Sequence, residues 1–159
     1  MDEWTTAAGQ MVDRLRAQEV ITLSETERAF RTVPRHLFLP ATEAHRAYTH
    51  GAIPTKMRGG QPISSSSDPA VMARMSEQLR AQPGENVLEI GAGTGYNAAI
   101  LAEIVGEDGR VVSVDIDEDI CANARDNLAR TGYSNVQVEC KDGAYGVPEG
   151  SHHRHRGRL

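Results

Sequence analysis

A chain of 159 residues suits one domain and can bury a real core. Its formal net charge is -5, and the last nine residues hold Arg154, Arg156 and Arg158 with no acid. The rest is therefore more acidic still, which argues against general nucleic-acid binding and its basic footprint. No apolar run is long enough for a membrane span, and the polar, acidic start Met1-Asp2-Glu3-Trp4 shows no secretory signal. The expected location is the cytoplasm, where the two cysteines, Cys121 and Cys140, read as free thiols.

Residues 5–20 read as a helix with Met11, Val12, Leu15 and Val20 on one face. Ser24 and Glu27 fit a capping box, which predicts a second helix over about 25–31. Val33-Pro34 ends it, because the residue before proline avoids the α region. From Pro34 to Asp68 the chain is rich in Pro, Gly, Ser and Thr and reads as an irregular lid or short strands. Asp68-Pro69 starts a third helix, with an acceptor at the N-cap and proline at the first helical position. Val71, Met72, Met75 and Leu79 are its expected buried face.

Pro83-Gly84 then breaks the chain before a strand over about 86–90. A helix to about Val105, a strand over 110–114, a helix over about 118–130 and a strand over 135–140 follow. The order β-α-β-α-β implies a parallel sheet with right-handed crossovers.

The first of these strands runs into Gly91-Ala92-Gly93-Thr94-Gly95. Glycine lets backbone pass close to a ligand, and a strand–loop–helix of this kind suits a nucleotide. The spacing is G-x-G-x-G, and Tyr96 stands where the dinucleotide fingerprint wants its third glycine. Asp115 closes the next strand, about 20 residues on, where a ribose-binding carboxylate is expected. The pattern favours an adenosyl cofactor without a pyrophosphate, S-adenosylmethionine being the obvious candidate. Asp115 has a competing reading as a helix cap, for which Asp117 is a rival. Asp142-Gly143, after the third strand, is placed at the adenine edge. Glu89 is a carboxylate in an apolar strand, which is costly unless paired. It serves either to orient the cofactor's amino end or as a satisfied structural acid. The run Ser64-Ser65-Ser66-Ser67 leads into a helix N-terminus, where amides attract a carboxylate; a solvated linker is the plain alternative. His36, His45 and His50 lack ligand spacing, so no metal site is expected, and His152-His153-Arg154-His155 belong to a tail.

These residues together resemble protein-L-isoaspartate O-methyltransferases and their relatives in peptide maturation, from about Met11 to Gly150. Val33-Pro34-Arg35-His36-Leu37-Phe38-Leu39-Pro40 is similar to that family's N-terminal signature. Ala47-Tyr48 and Ile53-Pro54 resemble the stretch that follows it, and Gly60-Gln61-Pro62-Ile63-Ser64 the substrate loop. Val87 to Tyr96, Asp115 and Asp142-Gly143 match the cofactor positions. The resemblance implies an α/β fold, the Rossmann-like class I S-adenosylmethionine-dependent methyltransferase fold. Residues 1–82 would form an N-terminal helical and irregular substrate-loop region and 83–150 the cofactor region. It implies S-adenosylmethionine held by Glu89, Gly91, Ala92, Gly93, Gly95, Asp115, Ile116, Asp142 and Gly143, with S-adenosylhomocysteine as product. The acceptor would be an isoaspartyl or aspartyl residue of a protein or peptide, held by a serine.

The sequence departs from the family in two places. The family has serine, one residue, then proline; here about three extra residues leave either Ser64 or Ser67 as the counterpart. After Gly150 the family continues into a fourth strand, whereas residues 151–159 carry no strand pattern and read as a truncation tail. The sheet would then be incomplete after its third strand. Its first strand would be an exposed apolar edge needing cover from a dimer partner, a second chain or a rearranged N-terminal segment. Methyl transfer to an ionised carboxylate needs no general base, since the acceptor carries its own lone pair. A catalytically dead, partner-binding relative is the alternative, and the glycine spacing disfavours a nicotinamide oxidoreductase.

Overall fold

Helix α1 (Glu3–Ala17) buries Ala8, Met11, Val12 and Leu15, the stripe its spacing predicts. The computed structural model describes residues 3–147, so the expected tail at 151–159 lies outside the described residues. Helix α2 (Ser24–Thr32) stops at Val33 before proline, as expected. Its start differs. Leu23 is the N-cap with no side-chain cap, and Glu27 is taken by Arg16 and Arg31 instead of reaching back to Ser24. The capping carboxylate is Glu77, from the next helix, which accepts from the Thr22 and Leu23 amides at 3.1 and 3.0 Å. A tertiary acid has replaced the local box because two arginines outcompete Ser24 for Glu27.

The segment from 34 to 68 is ordered. Short 3-10 turns at Arg35–Phe38 and Ala44–Tyr48 lead into an antiparallel hairpin, β1 (Ile53–Arg58) with β2 (Gln61–Ser66). Gly59 and Gly60 form its two-residue loop with φ of 55° and 79°, the paired positive values a tight hairpin requires. Pro54 and Pro62 are tolerated because both strands are edges. Helix α3 (Pro69–Leu79) begins as expected, the Asp68 side chain accepting from the Ala70 amide at 2.7 Å. Its buried face is Pro69, Met72, Ala73 and Ser76, while Val71 is exposed. Small side chains bring this helix close, so the contact face is not the most apolar one.

Strands β3 (Asn86–Ile90), β4 (Arg110–Asp115) and β5 (Val136–Cys140) form a parallel sheet in that order, with β4 central. The crossovers are α4 (Tyr96–Val105) and α5 (Glu118–Thr131). Helix α4 is buried nearly all round, as its apolar sequence demands. The ladder pairs Val87 with Val111 and Glu89 with Ser113, which places these four on one face. Val87, Val111 and Val138 join the main core with the helices; Leu88, Val112 and Val114 form a second cluster on the opposite face, with Val147 against it. Burying one such side chain fully is worth roughly 1.5–3 kcal/mol.

Among the described residues no strand pairs with the free edge of β3. The expected rearrangement of the N-terminal segment onto that edge is not found, because its strands satisfy each other in a hairpin. The edge is unpaired among the described residues, as expected, while on the faces of the sheet Val87 and Leu88 are buried and Ile90 is exposed. No helix among the described residues is long and apolar enough to cross a membrane.

Candidate active site

The glycine loop joins β3 to α4 at the C-terminal end of the sheet, where open α/β sheets bind ligands. Gly95 is the N-cap of α4 at φ 85°, and a Cβ there would lie 3.2 Å from both the Ala124 carbonyl and the Leu128 side chain. Helix α5 therefore packs directly beneath the loop. Its Asn127 donates to the Thr94 carbonyl at 2.9 Å, fixing the loop from below. The amides of Gly91 and Ala92 both donate to the Val114 carbonyl, so they extend the sheet and do not point outward.

Asp115, at the end of β4, faces the loop. Its Oδ2 accepts from the Gly93 amide at 3.3 Å and its Oδ1 from the Asp117 amide at 3.2 Å. The rival capping role belongs to Asp117, which accepts from the Asp119 and Ile120 amides at the start of α5. Asp115 is thus released from helix capping. Beside it Ile116 is 72% exposed, unusual for so apolar a side chain. Asp142 caps its own short turn through the Ala144 amide at 2.9 Å, and Gly143 packs against Ile90, where a Cβ would not fit. That close approach brings the Asp142-Gly143 corner next to the loop.

Glu89 is buried on the helix-covered face. Asn97 of α4 donates to one oxygen at 2.8 Å and the Ser113 hydroxyl donates to the other. Burial pushes its carboxyl up to about 7, against the opposing pull of these two donors. In this state Glu89 is a satisfied acid, and it also lines a small cavity of about 170 Å³ with Gly91, Gly93 and Ser67.

The two candidate serines part company. Ser64 accepts from the Thr55 hydroxyl at 3.2 Å and faces a cleft of about 560 Å³ between the hairpin and α5, bordered by Gly93 and Thr94 of the glycine loop. Ser67 lies in the smaller cavity with Glu89 and the glycine loop. Its carbonyl accepts from Arg35 Nη2 at 2.9 Å.

Three contributors were not singled out as site residues from sequence. Arg35 is fully buried and its guanidinium sits 4.9 Å from the Tyr96 ring centroid. Burial pulls that guanidinium below its ordinary value, against Tyr96 and Asp68. Tyr96, in the position of the absent third glycine, packs edge-on against Phe30 and Phe38. Arg35 and Tyr96 thereby tie the serine loop to the glycine loop. The third is Lys56 of β1, whose ammonium reaches Asp117 at 2.7 Å and Asp119 at 2.9 Å. The pair with Asp117 raises the lysine and lowers the acid. This latch joins the hairpin to α5 near the surface, where salt screens it. Lys56→Gln is expected to speed hydrogen exchange at hairpin amides several-fold, and about 1 M salt should do the same to the parent chain. Unchanged exchange in both would remove the latch. His36 packs, with Trp4 at 5.3 Å between ring centroids and the Tyr48 hydroxyl at 2.9 Å.

A protein-family model for protein-L-isoaspartate(D-aspartate) O-methyltransferase matches residues 6–154. The chain belongs to the protein-L-isoaspartate(D-aspartate) O-methyltransferase family. The Aeropyrum pernix protein-L-isoaspartate O-methyltransferase is 40% identical over 149 residues, covering 93% of this chain and 55% of that protein. The Methanopyrus kandleri enzyme of the same name is 41% identical, covering 89% and 61%. A solved protein-L-isoaspartate O-methyltransferase structure superposes with a TM-score of 0.81 at 38% identity, over 90% of this chain and 44% of that one. A structure from Plasmodium falciparum, in complex with S-adenosyl-L-homocysteine, shares the fold with a TM-score of 0.70 at 17% identity, over 89% of this chain and 66% of that one. The chain thus spans about half the length of the curated relatives it matches. Its fold is the Rossmann-like α/β fold of S-adenosylmethionine-dependent methyltransferases, present here as three parallel strands.

Proposed function

We propose that this chain binds S-adenosylmethionine and directs its methyl group to the side-chain carboxylate of an isoaspartyl or aspartyl residue in a protein or peptide. The observation that carries the reading is the convergence of the Gly93 amide and the Asp115 carboxylate beside the serine loop. The local fit supports it. A Cβ at Gly91 would meet nothing within 4 Å, and one at Gly93 only the Ser65 carbonyl at 4.0 Å, so backbone can lie close to a ligand. The donor set suits an adenosyl sulfonium: Asp115 for the ribose hydroxyls, exposed Ile116 and the Asp142-Gly143 corner for adenine, Glu89 for the amino end. Gly91, Ala92, Gly93 and Gly95 form the loop beneath it.

When bound, S-adenosylmethionine supplies an electrophilic methyl group and departs as S-adenosylhomocysteine. The residues of this chain align and enclose. An aspartyl-type carboxylate is ionised at neutral pH, with a reference pKa near 4, and attacks without a general base. Catalysis then rests on alignment and exclusion of water. Ser67 is the acceptor-side serine in this reading. It keeps the family's serine–x–proline spacing before α3 and shares a cavity with Glu89 and Gly93. Arg35 positions it through the backbone. Ser64 is the rival.

Methyl transfer to an isoaspartyl peptide, with an aspartyl peptide alongside, tests the reading. Ser67→Ala should raise KM for the acceptor about tenfold, the worth of one hydrogen bond to a charged group, with S-adenosylhomocysteine affinity unchanged. Ser64→Ala should change KM less than twofold. The reverse pattern moves the acceptor into the larger cleft. Cofactor binding with no transfer to either peptide leaves a binding module instead.

A further inference from the structure

Cys121 and Cys140 are the chain's two cysteines, and the fold brings them to one corner. Cys121 lies in the first turns of α5; Cys140 ends β5 opposite Asp115 in the ladder. The Cys121 thiol donates to the Asp115 carbonyl at 3.4 Å and reaches the Glu139 carbonyl at 3.8 Å. The Cys140 thiol reaches the Ile116 carbonyl at 3.8 Å. The two thiols thus sit on consecutive carbonyls, those of Asp115 and Ile116, and Cys121 also reaches the carbonyl that precedes Cys140. One is buried and the other exposed. The proposed methyl transfer uses neither sulfur.

We propose that Cys121 and Cys140 form a reversible thiol–disulfide site that controls the Asp115–Ile116 corner. A peroxide is the oxidant, and exposed Cys140 meets it first. The Cys140 thiolate attacks one peroxide oxygen, the O–O bond breaks, and the departing hydroxide takes a proton to leave as water. Cys140 is then a sulfenic acid. The Cys121 sulfur attacks the Cys140 sulfur, the S–O bond breaks, and the hydroxide leaves as water with the Cys121 proton. Two electrons have passed from the thiols to the peroxide, and one S–S bond has formed. Closure brings the sulfurs from their places on the neighbouring Asp115 and Ile116 carbonyls to about 2 Å from each other. A disulfide of this kind in a reducing compartment is transient and redox-sensing rather than structural.

Closure removes both S–H donors from the carbonyls of Asp115 and Ile116 and tethers α5 to β5 at the same place. That corner holds the ribose acid and the exposed apolar side chain assigned above to the adenosyl group, so the effect on ligand binding rests on that assignment. Formation of the bond does not.

The 159-residue chain is treated with hydrogen peroxide, denatured, alkylated and weighed intact. The expected product is one intramolecular disulfide, two hydrogens lighter, refractory to alkylation and restored by dithiothreitol. With oxidised glutathione, Cys121→Ser should stop as a mixed disulfide on Cys140, while the parent chain expels glutathione and closes. Over-oxidation of Cys140 with Cys121 still open to alkylation, or disulfide-linked dimers, would overturn the site. Calorimetric titration with S-adenosylhomocysteine then compares the two forms, and the oxidised chain should bind at least fivefold more weakly. Equal binding by both forms refutes control of the corner. Absence of binding by either form defeats the cofactor assignment and leaves the disulfide result standing.

Discussion

Replacing Asp115 with alanine is expected to weaken S-adenosylhomocysteine binding about 10- to 100-fold. A hydrogen bond to a charged group is worth about 1.5–3 kcal/mol, and every 1.4 kcal/mol is tenfold in affinity. In the proposed function Asp115 accepts from both ribose hydroxyls, and in this structure its oxygens hold the Gly93 and Asp117 amides. On that reading the substitution removes both the ligand's partner and the acceptor that holds the Gly93 amide. Asp115→Asn, which keeps one oxygen, should lose less. A 2′-deoxy analogue gives the sharper test, because it should bind the parent chain more weakly than the full ligand but bind the alanine variant about equally. An alanine variant with parental affinity would mean that the carboxylate serves the loop alone.

The second large effect is on stability. Glu89→Gln should stabilise the chain at pH 8 and leave it nearly unchanged near pH 4. The Glu89 carboxyl is pushed up to about 7 in the fold, chiefly by burial, from an ordinary value of 4.5. Below pH 4.5 it is protonated in both folded and unfolded chains and burial of the charge costs nothing. Between 4.5 and 7 the unfolded chain ionises first, so the folded state binds the extra proton and stability falls as pH rises. Above 7 both states are ionised and the full cost, of the order of 3 kcal/mol, remains. An amide carries no such cost. It can still accept from Asn97, and the Ser113 hydroxyl can turn to accept from it. Thermal unfolding between pH 4.5 and 8 should therefore show the parent losing several degrees relative to the variant. Parallel curves would show that Glu89 is well solvated or already neutralised. The same carboxyl makes a binding prediction. A cationic amino group set against it would pull its pKa back down, so cofactor binding near pH 7 should release a proton. Calorimetric heats that depend on the buffer's ionisation enthalpy would detect this.

Much of the site was legible because its signals are local. Gly91, Gly93 and Gly95 announce a turn that only glycine makes cheaply. Asp115 is set by strand length and the return of one helix. Asp68-Pro69 carries its own cap, and the structure keeps it. The Gly59-Gly60 hairpin is equally local, two glycines between short runs being a hairpin signal, but the Pro, Gly, Ser and Thr around it blur the segment into an irregular lid or short strands. The capping box at Ser24 and Glu27 was a local signal that failed, because Arg16 and Arg31 offered Glu27 stronger partners. Nothing in the spacing of residues 24–27 reveals an arginine on another helix.

By itself the amino-acid sequence determined the order of elements from Pro69 onward, the parallel sheet, the glycine loop and the acid that faces it, since each follows from periodicity or backbone restriction within a few residues. Tertiary structure alone decided that Ser64 and Ser67 border different cavities along that loop, that Arg35 stacks on Tyr96 behind it, that Lys56 latches the hairpin to α5, and that two cysteines come to the Asp115–Ile116 corner. Those are pairings between groups distant along the chain. They are chosen by packing and by competition for charge and hydrogen bonds, which no local pattern encodes.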